Sequence, residues 1–182
     1  MVKNLFITGP PATGKTALLR NLLKTIDMPI RGFAMQRLVE GEETRAFRLL
    51  DLAREAWEQK HPYSGHAEDI AINLRDDGRW QGAAHIFDIK GAAALQPSGK
   101  DSNSLVVMDE LGVCEKSARH FQQAVLATLD GPHWVVGVIK PKDTPFLNAV
   151  RNHPRTAIVP ICPRWQAEQI LTNFLAQTQK QP

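Results

Sequence analysis

Residues 9–16 (GPPATGKT) have the residue types and spacing of a phosphate cradle: Gly9, Gly14, Lys15 and Thr16 fill the fixed positions of G-x-x-x-x-G-K-[ST]. Gly9 permits a sharp turn, and Gly14 lets backbone N–H groups converge where a side chain would block them. Lys15 contributes a full positive charge. Thr16 contributes a hydroxyl of the kind that ligands a magnesium ion bridging the outer phosphates of a nucleotide. The candidate binding set is therefore Gly9, Pro10, Pro11, Ala12, Thr13, Gly14, Lys15, Thr16 and Ala17.

A second candidate group lies far downstream in LVVMDE (105–110), an apolar run that ends in Asp109 and Glu110. A strand that delivers an acid beside a phosphate loop supplies the second magnesium position, which falls to Asp109. An adjacent acid can orient or deprotonate an attacking water, so Glu110 is the candidate catalytic residue beside Lys15. Two solvated acids at a strand end are the structural alternative.

These side chains need a scaffold that brings both stretches together. Leu5, Phe6 and Ile7 read as a buried strand before the loop, and Leu18, Leu19, Leu22 and Leu23 recur at helical spacing after it. Residues 30–39 and 44–52 read as a β-hairpin around a polar turn at 40–43. Its Arg37, Arg45 and Arg48 face either a nucleotide or solvent. Residues 53–79 read as a surface excursion over the sheet edge, 82–89 as a strand, 91–95 as a helical turn and 97–104 as a polar loop. His61 and His66 have no acidic or cysteine framework around them and predict no metal site. A helix is expected over 115–129, strands over 134–139 and 156–161, and helices over 144–150 and 165–177, the last turning Ile170, Leu171, Phe174 and Leu175 inward. Lys140 stands at a strand end that approaches a γ-phosphate, and an exposed loop lysine is the plainer expectation. Alternating buried strands and amphipathic helices predict a three-layer α/β domain, with ligand at the carboxyl ends of the strands.

Composition narrows the class. The 182 residues, 43% of them hydrophobic, suit one domain over 1–182. The 22 basic and 19 acidic residues leave a net charge of only +3, scattered along the chain, so nucleic acid is not an expected partner. Cys114 and Cys162 are far apart and read as reduced thiols. The first strand starts almost at once, which leaves no room for a signal peptide, and no apolar run approaches membrane-spanning length. A soluble cytoplasmic protein is expected, with a monomer as the simplest state.

The chain resembles the small P-loop nucleoside-triphosphatase family that includes the cancer-related nucleoside-triphosphatase of animals and its thermophile relatives. The resemblance rests on GPPATGKT at 9–16, Gly32-Phe33, Arg45 before Phe47, HIFD at 85–88, MDELG at 108–112 followed by Glu115, Phe121 and Pro145. It implies a RecA-like P-loop fold and slow, magnesium-dependent hydrolysis of ATP, GTP and other nucleoside triphosphates to the diphosphate. Lys15, Thr16, Asp109 and Glu110 would carry that reaction; Glu115 also matches a family position, and a structural salt bridge or helix cap is its plainer reading. The chain departs from the family at Ala12, Ala46, His85, Val113 and Cys114. Val113 stands where the family usually has lysine, which bears on turnover more than on binding.

Three functions fit the sequence. One is a nucleoside-triphosphatase. Another is a small-molecule kinase, with Arg54, Arg75 and Arg79 in a lid over an acceptor. The third is a nucleotide-binding switch with little turnover of its own.

Overall fold

The computed structural model describes residues 1–58, 60–64, 69–97 and 103–179. The chain runs β1 (Asn4–Thr8), α1 (Lys15–Leu23), β2 (Ile30–Glu40), β3 (Glu43–Asp51), β4 (Lys60–Pro62), β5 (Ile70–Leu74) and β6 (Trp80–Gly82). It continues through α2 (Ala84–Ile86), a π-helical turn (Phe87–Gly91) and α3 (Ala92–Leu95). The last elements are β7 (Leu105–Leu111), α4 (Arg119–Asp130), β8 (Val135–Ile139), α5 (Pro145–Arg151), β9 (Thr156–Pro160) and α6 (Arg164–Thr178). The strands form one sheet in the order β6-β5-β3-β2-β7-β8-β1-β9, with β4 paired to β2 beyond the end of β7.

From β2 to β9 the pairs are parallel, and β3, β5 and β6 extend the sheet antiparallel. The central parallel strands β1, β7 and β8 are covered on both faces and therefore read as largely apolar runs. Within them the side chains alternate. Phe6, Val106, Met108 and Val135 face one core with Phe121, Val125 and Leu147, while Leu5, Ile7, Val107, Val136 and Val138 face the other with Leu19, Leu171 and Leu175. Helices α1 and α6 thus cover one face, and α4, α5 and the 84–95 segment cover the other. The expected three-layer α/β fold, mostly parallel with an antiparallel hairpin, is the observed one.

Four local expectations are corrected. Residues 82–89 do not form a strand beyond Gly82: Phe87 is buried while Ile89 is 72% exposed, and a strand would put both on one face. Phe87, Gly91 and Leu95 recur every four residues instead and bury one side of a helical segment. The stretch 53–79 is not plain surface loop, because Ile70, Ala71 and Ile72 build β5 against β3. Helix α4 starts at Arg119 rather than at residue 115. Ile170 is 37% exposed; the buried stripe of α6 is Ala167, Leu171, Phe174, Leu175 and Thr178.

Both cysteines are free thiols, Cys162 exposed and Cys114 half-buried. Of the two histidines read as no metal site, His61 lies in β4 and His66 falls outside the described residues, as does part of the 97–104 loop. Among the described residues no helix is long and apolar enough to cross a membrane.

Candidate functional site

The cradle forms where β1 ends. Gly9 (φ 147°), Ala12 (φ 59°) and Gly14 (φ 79°) bend the loop back on itself through backbone regions that L-residues rarely adopt. Gly14 caps α1 without any side-chain hydrogen bond, so the first N–H groups of the helix point into the loop with its positive dipole end behind them. Lys15 is only 6% exposed. Its Nζ donates to the carbonyls of Gly9 at 3.0 Å and Pro10 at 2.6 Å and to Thr13 Oγ1 at 3.4 Å, which holds the ammonium inside the loop.

Asp109 reaches the same place from β7, although β8 separates its strand from β1. Thr16 Oγ1 donates to Asp109 Oδ1 at 3.0 Å, so the two expected metal ligands are already face to face. Asp109 is 2% exposed. Burial, and then the neighbouring Glu110 charge, push its carboxyl up to about 7, against the opposing pull of Thr16, Lys15 and Arg20. A buried, oxygen-only pair under electrostatic stress suits a hard divalent cation that takes its remaining ligands from phosphate and water. Among the described residues no three His, Cys, Asp or Glu side chains cluster at metal distance, and a fully protein-built metal cage is therefore not seen there.

Glu110 follows across a cis peptide bond. Its Oε1 pairs with Lys140 Nζ at 3.0 Å. Lys140 is thus not the exposed loop lysine expected from sequence: it is half-buried at the end of β8. Burial opposes its charge, but the Glu110 carboxylate outweighs that and raises the ammonium above its ordinary range. Glu115 also departs from expectation. It caps no helix but braces the loop after β7, where its Oε1 accepts from Gly112 N at 2.7 Å, and burial raises its carboxyl pKa.

Two of the hairpin arginines, Arg45 and Arg48, pair with acids of their own neighbourhood. Arg45 pairs with Glu40 at 2.9 Å and Glu43 at 3.4 Å. Arg48 joins Glu55, which Lys90 also contacts at 2.7 Å together with Asp69 at 2.7 Å. Arg54 stays by Asp51 at 3.5 Å, and Arg75 lies 3.7 Å from Asp77 in the turn between β5 and β6. That turn is five strand positions from β1, about 25 Å at the usual strand spacing, so Arg75 and Arg79 form no lid over the loop.

Sequence reasoning passed over Arg164, the first residue of α6. A Cβ placed on Gly14 would come 2.8 Å from its Nη1, so this guanidinium lies against the phosphate loop. The available signal was positional: β9 is the outer neighbour of β1, and a cation just past its carboxyl end falls beside the loop.

A phosphate loop between strand and helix, with Thr16 and Asp109 facing one another on a largely parallel sheet, defines a P-loop α/β protein. A family model described as NTPase matches residues 4–171. The chain belongs to this NTPase family and is an enzyme. It is 26% identical over 153 residues to nucleoside-triphosphatase THEP1 of Thermotoga maritima, covering 81% of this chain and 80% of that protein. It is 30% identical over 156 residues to the cancer-related nucleoside-triphosphatase homolog of Bos taurus, covering 80% of each. The solution structure of a human cancer-related nucleoside triphosphatase superposes with a TM-score of 0.69 at 24% identity over the whole of both chains. The crystal structure of THEP1 from the hyperthermophile Aquifex aeolicus gives 0.69 at 18% identity, covering 94% of this chain and 98% of that one. At these identities the two structures speak for the fold.

Proposed function

We propose that this chain hydrolyses nucleoside 5′-triphosphates, ATP and GTP among them, to the diphosphate and phosphate with Mg2+. The observation that carries the reading is the 3.0 Å approach of Thr16 Oγ1 to Asp109 Oδ1 beside the Lys15 cradle. In this reading the N–H groups of the loop and of the first turn of α1 hold the β- and γ-phosphates, and Lys15 exchanges its loop carbonyls for phosphate oxygens. Arg164 adds a second cation on the outer side of the loop.

Thr16 and Asp109 would hold Mg2+, whose chemistry when bound would be to neutralise negative charge on the outer phosphates. Glu110 orients a water for in-line attack on the γ-phosphorus; the P–O bond to the β-phosphate breaks, and the water's proton leaves through the carboxylate or the departing phosphate. Lys15 and the loop dipoles stay fixed while charge builds on the phosphoryl oxygens, which is where such a site gains its rate. Against the kinase alternative, Arg75 and Arg79 lie toward the far edge of the sheet from the loop.

The test is phosphate release titrated with Mg2+. Chelation with EDTA should abolish release, and Thr16→Ala and Asp109→Asn should each raise the Mg2+ concentration for half-maximal release by about tenfold or more. Release that is indifferent to both substitutions would refute the assignment.

A further inference from the structure

The strand order puts β8 between the strand that feeds the phosphate loop and the strand that ends in Asp109 and Glu110. Val138 is level with Ile7 on one side and with Asp109 on the other. Lys140, two residues on, therefore leaves the sheet between the loop and the two acids, about one strand spacing of roughly 4.8 Å from each neighbour. Its backbone is anchored: Lys140 N donates to Leu111 O at 2.9 Å, and its carbonyl accepts from Arg151. The stem crosses Gly112, where a Cβ would come 3.1 Å from Lys140 Cδ. The side chain is still 37% exposed, so the ammonium can move while its root stays put.

Three negative groups compete for that ammonium once a triphosphate is bound. Glu110 holds it at 3.0 Å. Glu115 lies behind Gly112, its Oε2 buried without a hydrogen-bond partner among the described residues. A γ-phosphate would present more charge and more acceptor oxygens than either carboxylate, and a partly exposed ion pair is weak enough to exchange for it. A diphosphate offers no such group.

We propose that Lys140 reads the γ-phosphate: it neutralises Glu110 until a triphosphate binds, then shifts to the γ-phosphoryl oxygens and releases Glu110 to hold the attacking water. This deepens the hydrolysis reading and rests on it. Two consequences separate it from a surface ion pair. Lys140 contributes to triphosphate affinity but not to diphosphate affinity, and it does so whether or not Glu110 is charged.

The experiment measures Kd for Mg2+ with the β,γ-imido analogue of ATP and for Mg2+ with ADP. It compares wild type, Lys140→Met and Lys140→Arg, and Lys140→Met in a Glu110→Gln background. Lys140→Met should weaken analogue binding about tenfold and leave ADP binding within about twofold. Lys140→Arg should recover most of the loss, and the loss should persist in the Glu110→Gln background. Equal effects on both nucleotides, no effect on either, or disappearance of the effect in the Glu110→Gln background would overturn the proposal. The analogue cannot be hydrolysed, so the affinity ratio judges Lys140 alone; phosphate release from ATP by the wild type judges the hydrolysis reading separately.

Discussion

At the carboxyl ends of β1 and β7, Lys15 and Asp109 are buried and close enough to feel one another's charge. Near the turn between β2 and β3 and in the turn into β6, Arg45 and Arg75 sit at the surface in ordinary pairs. Asp109 and Lys15 are nearly inaccessible, whereas Arg45 and Arg75 keep 41% and 55% of their side chains exposed beside Glu40 and Asp77. Burying a carboxylate against a second carboxylate costs stability, and a surface pair costs or gains little. The difference separates charges kept for chemistry from charges that merely decorate an edge. Arg45, conspicuous in the sequence, belongs to the second kind.

The contrast is tested most sharply at Asp109. Asp109→Asn should cut phosphate release at least about a hundredfold and yet raise the melting temperature of the nucleotide-free protein. The carboxyl stands at about 7 in the folded chain, well above its unfolded value. Its ionised form therefore destabilises the fold fully above that value, less as pH falls, and not at all below the unfolded pKa. The thermal gain should accordingly be larger at pH 8 than at pH 5; melts that show a loss, or the opposite pH trend, would break the comparison from the buried side.

Glu55 tests a setting between the two, a part-buried network with Arg48 and Lys90 away from the phosphate loop. Burial raises its carboxyl, but Lys90, the Asp51 backbone and Arg48 outweigh that and hold it below its ordinary value. A depressed acid stabilises above its unfolded pKa and loses that contribution as pH falls through its folded value. Glu55→Gln should cost about 1 kcal/mol at pH 7 by denaturant titration, with the deficit fading as pH drops below 4, and should leave phosphate release unchanged.

A smaller effect is expected at Ala12, whose positive φ strains any residue with a Cβ. Ala12→Gly should stabilise the fold by about 0.5–1 kcal/mol in the same titration. The smallest belongs to Arg75→Ala: a change within about 0.5 kcal/mol and full activity. A marked loss of activity there would return the edge arginines to the site.

Much of this was legible before any coordinates. The glycine spacing of residues 9–16 constrains the backbone directly, and the apolar runs of β1, β7 and β8 announce strands covered on both faces. The segment 82–89 misled because Ala83, Ala84, His85 and Ile86 carry no decisive period, and only Phe87 against Ile89 separates helix from strand. Arg164 escaped assignment, and Lys140 was left between a γ-phosphate contact and an exposed loop, for a different reason. Their roles depend on which strands flank β1, and strand order is a long-range property that local spacing does not encode. Asp109 was placed beside Thr16 only because an acid at the end of an apolar strand is a recurrent partner of such a loop; the intervening strand itself was not readable.

The most direct measurement is phosphate release from ATP, GTP, CTP and UTP with Mg2+ by wild type, Lys15→Ala and Glu110→Gln, alongside nucleotide binding. The account predicts release from all four by wild type, none above background by Lys15→Ala, and bound nucleotide without release by Glu110→Gln. Wild-type protein that binds nucleotide but releases no more phosphate than Lys15→Ala would contradict it.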